Sequence, residues 1–132
     1  MSTITLTAGM DLPPLHAGRI ERKTLALFAG ASGDHQPSHL DIDAARAKGR
    51  EDVIAHGMLI MAYMARLLTD TVPQEKIRSF SARFVAVTPV HAEPVITGTV
   101  ISLVDGLAKV ELTAKLGDGK VVATGEAELD LA

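Results

Sequence analysis

At 132 residues, with 47% hydrophobic and 22% charged side chains, the chain has the size and composition of one globular domain, which excludes disordered and fibrous classes. A net charge of −3 with no local run of Lys and Arg leaves nothing to neutralise a phosphate backbone, so no nucleic-acid partner is expected. The absence of cysteine excludes disulfides, thiolate metal sites and thiol nucleophiles, and suits a reducing, cytoplasmic setting.

In chain order, Met1 to Leu6 lacks the basic start, apolar stretch and cleavage site of a secretory signal, and Ile4 to Leu6 has the character of a short strand. Leu25 and Phe28, with Gly30 and Gly33 behind them, predict a short amphipathic helix over Arg22 to Phe28 that runs into a loop. Asp41 to Lys48 carries acids first, bases last and a stop at Gly49, the charge order of a second short helix. A third helix is predicted from His56-Gly57 to about Thr69. It is apolar on almost every side through Met58, Leu59, Ile60, Met61, Ala62, Tyr63, Met64 and Ala65, so it is expected to be buried all round. Its apolar stretch is interrupted at Arg66 and is about half the ~20 residues of a membrane span, so no membrane partner is expected.

After Pro73 the period changes. Ser79 to Val87, Val95 to Leu103, Leu107 to Leu116 and Val121 to Leu129 are β-branched or alternating runs, predicted as a meander of antiparallel strands. The breaks at Asp105-Gly106 and Gly117-Asp118-Gly119 are hairpin signals, since such turns need residues that tolerate positive φ. With no repeat, linker or low-complexity tract, residues 1–132 read as a single α+β domain, a curved antiparallel sheet wrapped around the long helix.

The chemistry is concentrated between the first two helices, in the loop Ala31-Ser32-Gly33-Asp34-His35-Gln36-Pro37-Ser38-His39-Leu40. Asp34 and His39, with four residues and a proline-restrained turn between them, form a carboxylate–imidazole pair, the raw material of general acid/base catalysis. Spacing alone leaves a second reading of equal weight, in which the aspartate caps a turn and the histidine is an ordinary loop residue. Asp41 and Asp43 lie nearby but have no metal-ligand spacing and are accounted for by a helix start, so neither a metal nor another cofactor is expected. His16, His35 and His91 read as surface residues, and His56 as a structural hydrogen-bonding group at a helix entrance. Met58, Met61 and Met64 form a flexible apolar lining, part of which could border an acyl tunnel.

Three ordered elements, Ser32-Gly33-Asp34-x-x-Pro37-x-His39, the short helix to Lys48-Gly49, and Val53-Ile54-Ala55-His56-Gly57-Met58-Leu59, resemble the signature of the MaoC-like, (R)-specific enoyl-CoA hydratases. The resemblance extends to Ala26-Leu27-Phe28-Ala29-Gly30 and to the strand region, and so covers nearly the whole chain. It implies a hot-dog fold, with Asp34 and His39 as the catalytic pair holding a water that is added reversibly to a 2-enoyl thioester. It also implies that Gly57 supplies a backbone N–H to the thioester oxygen from the start of the long helix. Gln36 is implied in substrate binding and stands where the family usually has Asn, keeping the amide with a longer reach. The implied partners are an acyl thioester, carried on coenzyme A or acyl carrier protein, and a second copy of the chain in a homodimer or larger homo-oligomer. Two other activities share such a fold: an acyl-CoA thioesterase, which more usually carries its acid on or beside the long helix, and a non-catalytic acyl-binding subunit.

Overall fold

The computed structural model describes residues 5–132. Four helices precede most of the sheet: α1 (Arg22–Ser32), α2 (Pro37–Leu40), α3 (Ile42–Ala47) and α4 (Gly57–Thr71). The strands are β1 (Leu15–His16), β2 (Ile77–Phe84), β3 (Val95–Val104), β4 (Leu107–Lys115) and β5 (Val121–Asp130), with a 3-10 turn at Gln74–Lys76 leading into β2. They form one antiparallel sheet in the order β1-β3-β4-β5-β2. The long strands lie within three residues of their predicted bounds at either end. Of the strand expected at Ile4 to Leu6, Ile4 lies outside the described residues, and Thr5 and Leu6 are irregular.

The sheet is amphipathic by alternation. In β4, Ala108, Val110, Leu112 and Ala114 are buried while Lys109, Glu111 and Lys115 are exposed, as a period of two dictates for a sheet with one covered face. The cover is α4, whose Ile60, Met64, Leu67, Leu68 and Thr71 recur at helical spacing and are buried. Met64 and Leu68 reach zero exposure, and full burial of such a side chain is worth ~1.5–3 kcal/mol. Gly125 in β5 lets helix and sheet approach: a Cβ there would meet the Ser81 carbonyl at 2.8 Å and the Met64 methyl at 3.1 Å. At the β3–β4 hairpin both turn residues, Asp105 and Gly106, have positive φ of 52° and 79°, the chemistry the dipeptide predicts.

Three expectations need correction. The four long strands are not a simple meander: β2 pairs with β5 at the edge of the sheet rather than with β3, so residues 85–94 cross the sheet instead of closing a hairpin. The segment between the first two helices is not all loop, because α1 runs on to Ser32 and Pro37–Leu40 winds one further turn with proline in its first turn, where its missing N–H costs nothing. Nor is α4 buried all round: Met58 is 56% exposed, and Ala62 and Arg66, spaced four residues apart on the same face, are also exposed. That face turns away from the sheet. Among the described residues no helix is long and apolar enough to cross a membrane.

Candidate active site

The site begins where α1 stops. Gly33 takes the left-handed conformation (φ 78°) and donates its N–H to the Ala29 carbonyl, which ends the helix and redirects the chain. Asp34 follows, and one carboxylate oxygen, Oδ1, accepts the Gln36 N–H at 3.2 Å, a local turn typical of aspartate. The other, Oδ2, faces His39 Nε2 at 3.8 Å. The Asp34 carboxylate is half exposed whereas the His39 side chain is only 10% exposed.

His39 is held from behind. Its Nδ1 lies 2.8 Å from the Ile54 carbonyl, an acceptor, so Nδ1 carries the proton and the neutral ring presents the Nε2 lone pair towards Asp34. Ile54 is itself fixed, since its N–H donates to the Ser38 carbonyl at 3.0 Å and the neighbouring Ala55 N–H to Thr88 at 2.8 Å. A bidentate Arg22–Asp52 pair, at 2.9 and 2.6 Å, ties α1 to the same extended segment. It is exposed and serves registration more than stability.

His56 completes the cluster. It is 1% exposed, its Nε2–H donates to the Asp34 main-chain carbonyl at 3.1 Å, and its ring stacks on His39 with centroids 3.9 Å apart and planes 22° from parallel. The Phe28 ring makes an edge-type contact with it, centroids 4.9 Å and planes 60° apart. Burial pushes the His56 imidazole below its ordinary pKa; nearby positive charge on His39 acts in the same direction, against the Asp34 carbonyl and carboxylate. A depressed histidine favours the folded state above the unfolded pKa, about 6.5, and loses that contribution as pH falls through the folded value, because the unfolded chain then binds a proton the folded one resists. Urea denaturation is therefore expected to show lower stability at pH 5 than at pH 7, with a smaller drop in His56→Phe. An equal drop in both proteins would remove His56 as a source.

Asp34, His39 and His56 each bring one ligand-type atom within 4.8 Å of the others, and they are the residues that could hold a metal. The geometry disfavours one. Lone pairs of imidazole nitrogens lie in the ring plane, and two stacked rings, 3.9 Å apart with planes 22° from parallel, hold theirs in separate planes rather than converging on one ion. Rotating either ring would break its bond to a backbone carbonyl.

Gly57 is the first residue of α4, directly after His56. Its N–H lies in the helix's first turn, where no intrahelical acceptor exists, and it has no hydrogen-bond partner among the described residues. A Cβ on Gly57 would rest 3.5 Å from the Phe84 ring, an ordinary contact. Beside the cluster lies an apolar groove of about 470 Å³ lined by Phe28, Ser32, Asp34, Met58, Met61 and Phe80 among others. Met58 and Met61 border it, whereas Met64 belongs to the core. His39 and Gly57 do not line it; they stand behind Asp34 and at the head of α4. Gln36 is exposed and caps α2, its carbonyl taking the His39 N–H at 3.0 Å; its amide side chain has no hydrogen bond among the described residues. Asp41 caps α3 through the N–H groups of Asp43 and Ala44. His35 and His16 are exposed, and His91 is half-buried.

Against this geometry, the family model described as "MaoC like domain" matches residues 3–127. The chain belongs to the MaoC-like dehydratase family. It is 31% identical to the UPF0336 protein of Streptomyces griseus subsp. griseus over 134 aligned residues, covering 92% of this chain and 89% of that one. The (R)-hydratase from A. caviae involved in PHA biosynthesis superposes with a TM-score of 0.87 at 27% identity, covering 97% of this chain and 98% of that one. The unliganded R-hydratase PhaJ1 from Pseudomonas aeruginosa gives 0.87 at 26%, covering 96% and 82%. The curled sheet around α4 is the hot-dog fold of these MaoC-like proteins.

From the sequence His56 has a structural hydrogen bond but not its stack on His39, Phe28 is only an apolar position of the first helix, and Phe80 has no role. Phe28 carried a signal: it lies one helical turn before Ser32, so both face the same groove.

Proposed function

We propose that the protein is an (R)-specific enoyl-CoA hydratase acting reversibly as a 3-hydroxyacyl-thioester dehydratase, with Asp34 and His39 handling the water. The observation that carries this is the pair of acceptors, Asp34 Oδ2 and His39 Nε2, 3.8 Å apart. That gap is too long for a direct hydrogen bond, and one water within ~2.6–3.2 Å of each atom would donate a proton to both. Its lone pairs then point outward. As the oxygen bonds to C3 of a 2-enoyl thioester, one acceptor takes a water proton and the pair returns a proton to C2, so that H and OH are added across the double bond. Negative charge gathers meanwhile on the thioester oxygen, where the Gly57 N–H, at the positive end of α4, offers a fixed donor. Gln36, at the exposed rim, is proposed to contact substrate through its amide. The (R) sense follows the likeness to R-hydratases, and the apolar groove suits an acyl chain.

The test is the conjugated absorbance of crotonyl-CoA. Loss of the band without thiol release supports hydration; thiol release would mean a thioesterase, and no change on a series of enoyl thioesters of graded length would leave a binding subunit.

We also propose a homodimer or larger homo-oligomer. β2 is an edge strand with β5 on one side only, and Phe84, Val85 and Val87 at its exit are 46%, 51% and 42% exposed, an exposed apolar edge that a second copy would cover. Sedimentation at micromolar concentration is expected to give a species of at least two chains, and a fully active monomer would refute this.

A further inference from the structure

His56 is a buried titratable group that the proposed chemistry does not use, and its surroundings are unusual. It touches both members of the pair at once, by a hydrogen bond to the Asp34 main chain and by its ring face on His39. Its remaining nitrogen, Nδ1, is buried with no hydrogen-bond partner among the described residues. A buried polar atom left unpaired has a cost that a merely space-filling residue would not incur. Phe would fill the space without the orphan, and Gln would make the hydrogen bond without the ring. Only an imidazole does both.

We propose that His56 is a positioning residue for the pair: its Nε2–H fixes the backbone from which the Asp34 carboxylate hangs, and its ring fixes the plane of His39. The two together set the 3.8 Å separation between Asp34 Oδ2 and His39 Nε2. The inference rests on reading Asp34 and His39 as the water-handling pair. The same surroundings keep His56 out of proton transfer. Protonation would place a donor on Nδ1 with no acceptor and a positive charge at the positive end of the α4 dipole. The titratable groups facing it are Asp34, from the turn after α1, and His39, on α2; Phe28 on α1 is uncharged. A neutral platform also leaves His39 free to gain and lose a proton without a charged ring against its face.

The experiment pairs His56→Phe, which keeps the ring and loses the donor, with His56→Gln, which keeps a donor and loses the ring. Both are assayed on crotonyl-CoA beside Asp34→Asn, with fold checked by circular dichroism. A displacement of ~1 Å in reacting groups costs on the order of 10²-fold, so kcat is expected to fall roughly ten- to a hundredfold in each, with KM moving far less. Full kcat in either variant would overturn the corresponding half of the inference. If Asp34→Asn is also fully active, the underlying reading fails instead. Nitrogen NMR of the unaltered protein decides independently of whether the variants fold. His56 should remain the neutral Nε2–H tautomer to lower pH than a free imidazole does, and a His56 that titrates like a free imidazole would overturn the proposal.

Discussion

Asp34→Asn and His39→Gln are each expected to fold normally and to lose about 10²–10⁴-fold in hydration rate, the range of a general acid/base group. The argument is geometric. Asp34 Oδ1 is occupied by the Gln36 N–H, and the amide oxygen of asparagine can keep that turn. The group facing His39 then becomes an NH2, a donor where the water needs an acceptor. Glutamine at position 39 can donate to the Ile54 carbonyl in place of Nδ1 but has no basic nitrogen to receive a proton. Both changes preserve shape and remove proton handling, so kcat should carry most of the loss. Steady-state assay on crotonyl-CoA checks this, and parental activity in either variant would sink the assignment.

Gly57→Pro is the second large expected effect, because it removes a single N–H where the fold can spare it. Proline is favoured at the first position of a helix, and the preceding His56 already has the extended geometry (φ −61°, ψ 135°) that a following proline requires. Deleting one oxyanion donor typically costs about 10²–10³-fold in kcat, and a loss of that size is expected here. Gly57→Ala keeps the N–H, and its Cβ would meet Phe84 at ordinary contact distance. It should therefore lose less than the proline variant. Equal losses would show that crowding, rather than the missing donor, is responsible.

The long strands were legible because their signal is local: alternation in β4 and the Asp105-Gly106 turn report on neighbours a few residues away. The Asp34 and His39 pair was legible as residue types in a loop, and the three motifs around it pointed to the family. Neither kind of signal carried a distance. Proline at 37 reads as a turn, yet the same residue starts α2 and thereby brings His39 round to face Asp34.

By itself, then, the sequence determined the α+β class, the strand periods, the hairpin and the chemical character of the loop, all properties of contacts short along the chain. Only the tertiary structure decided that β2 leaves β3 to pair with β5, that α4 keeps an open face at Met58 and Ala62, and that His56, twenty-two residues beyond Asp34, bonds to its carbonyl. The reason is physical. A period fixes which side of an element is apolar, but the partner that buries it is chosen by the curl of the sheet and the path of α4 across it, which involve the whole chain at once.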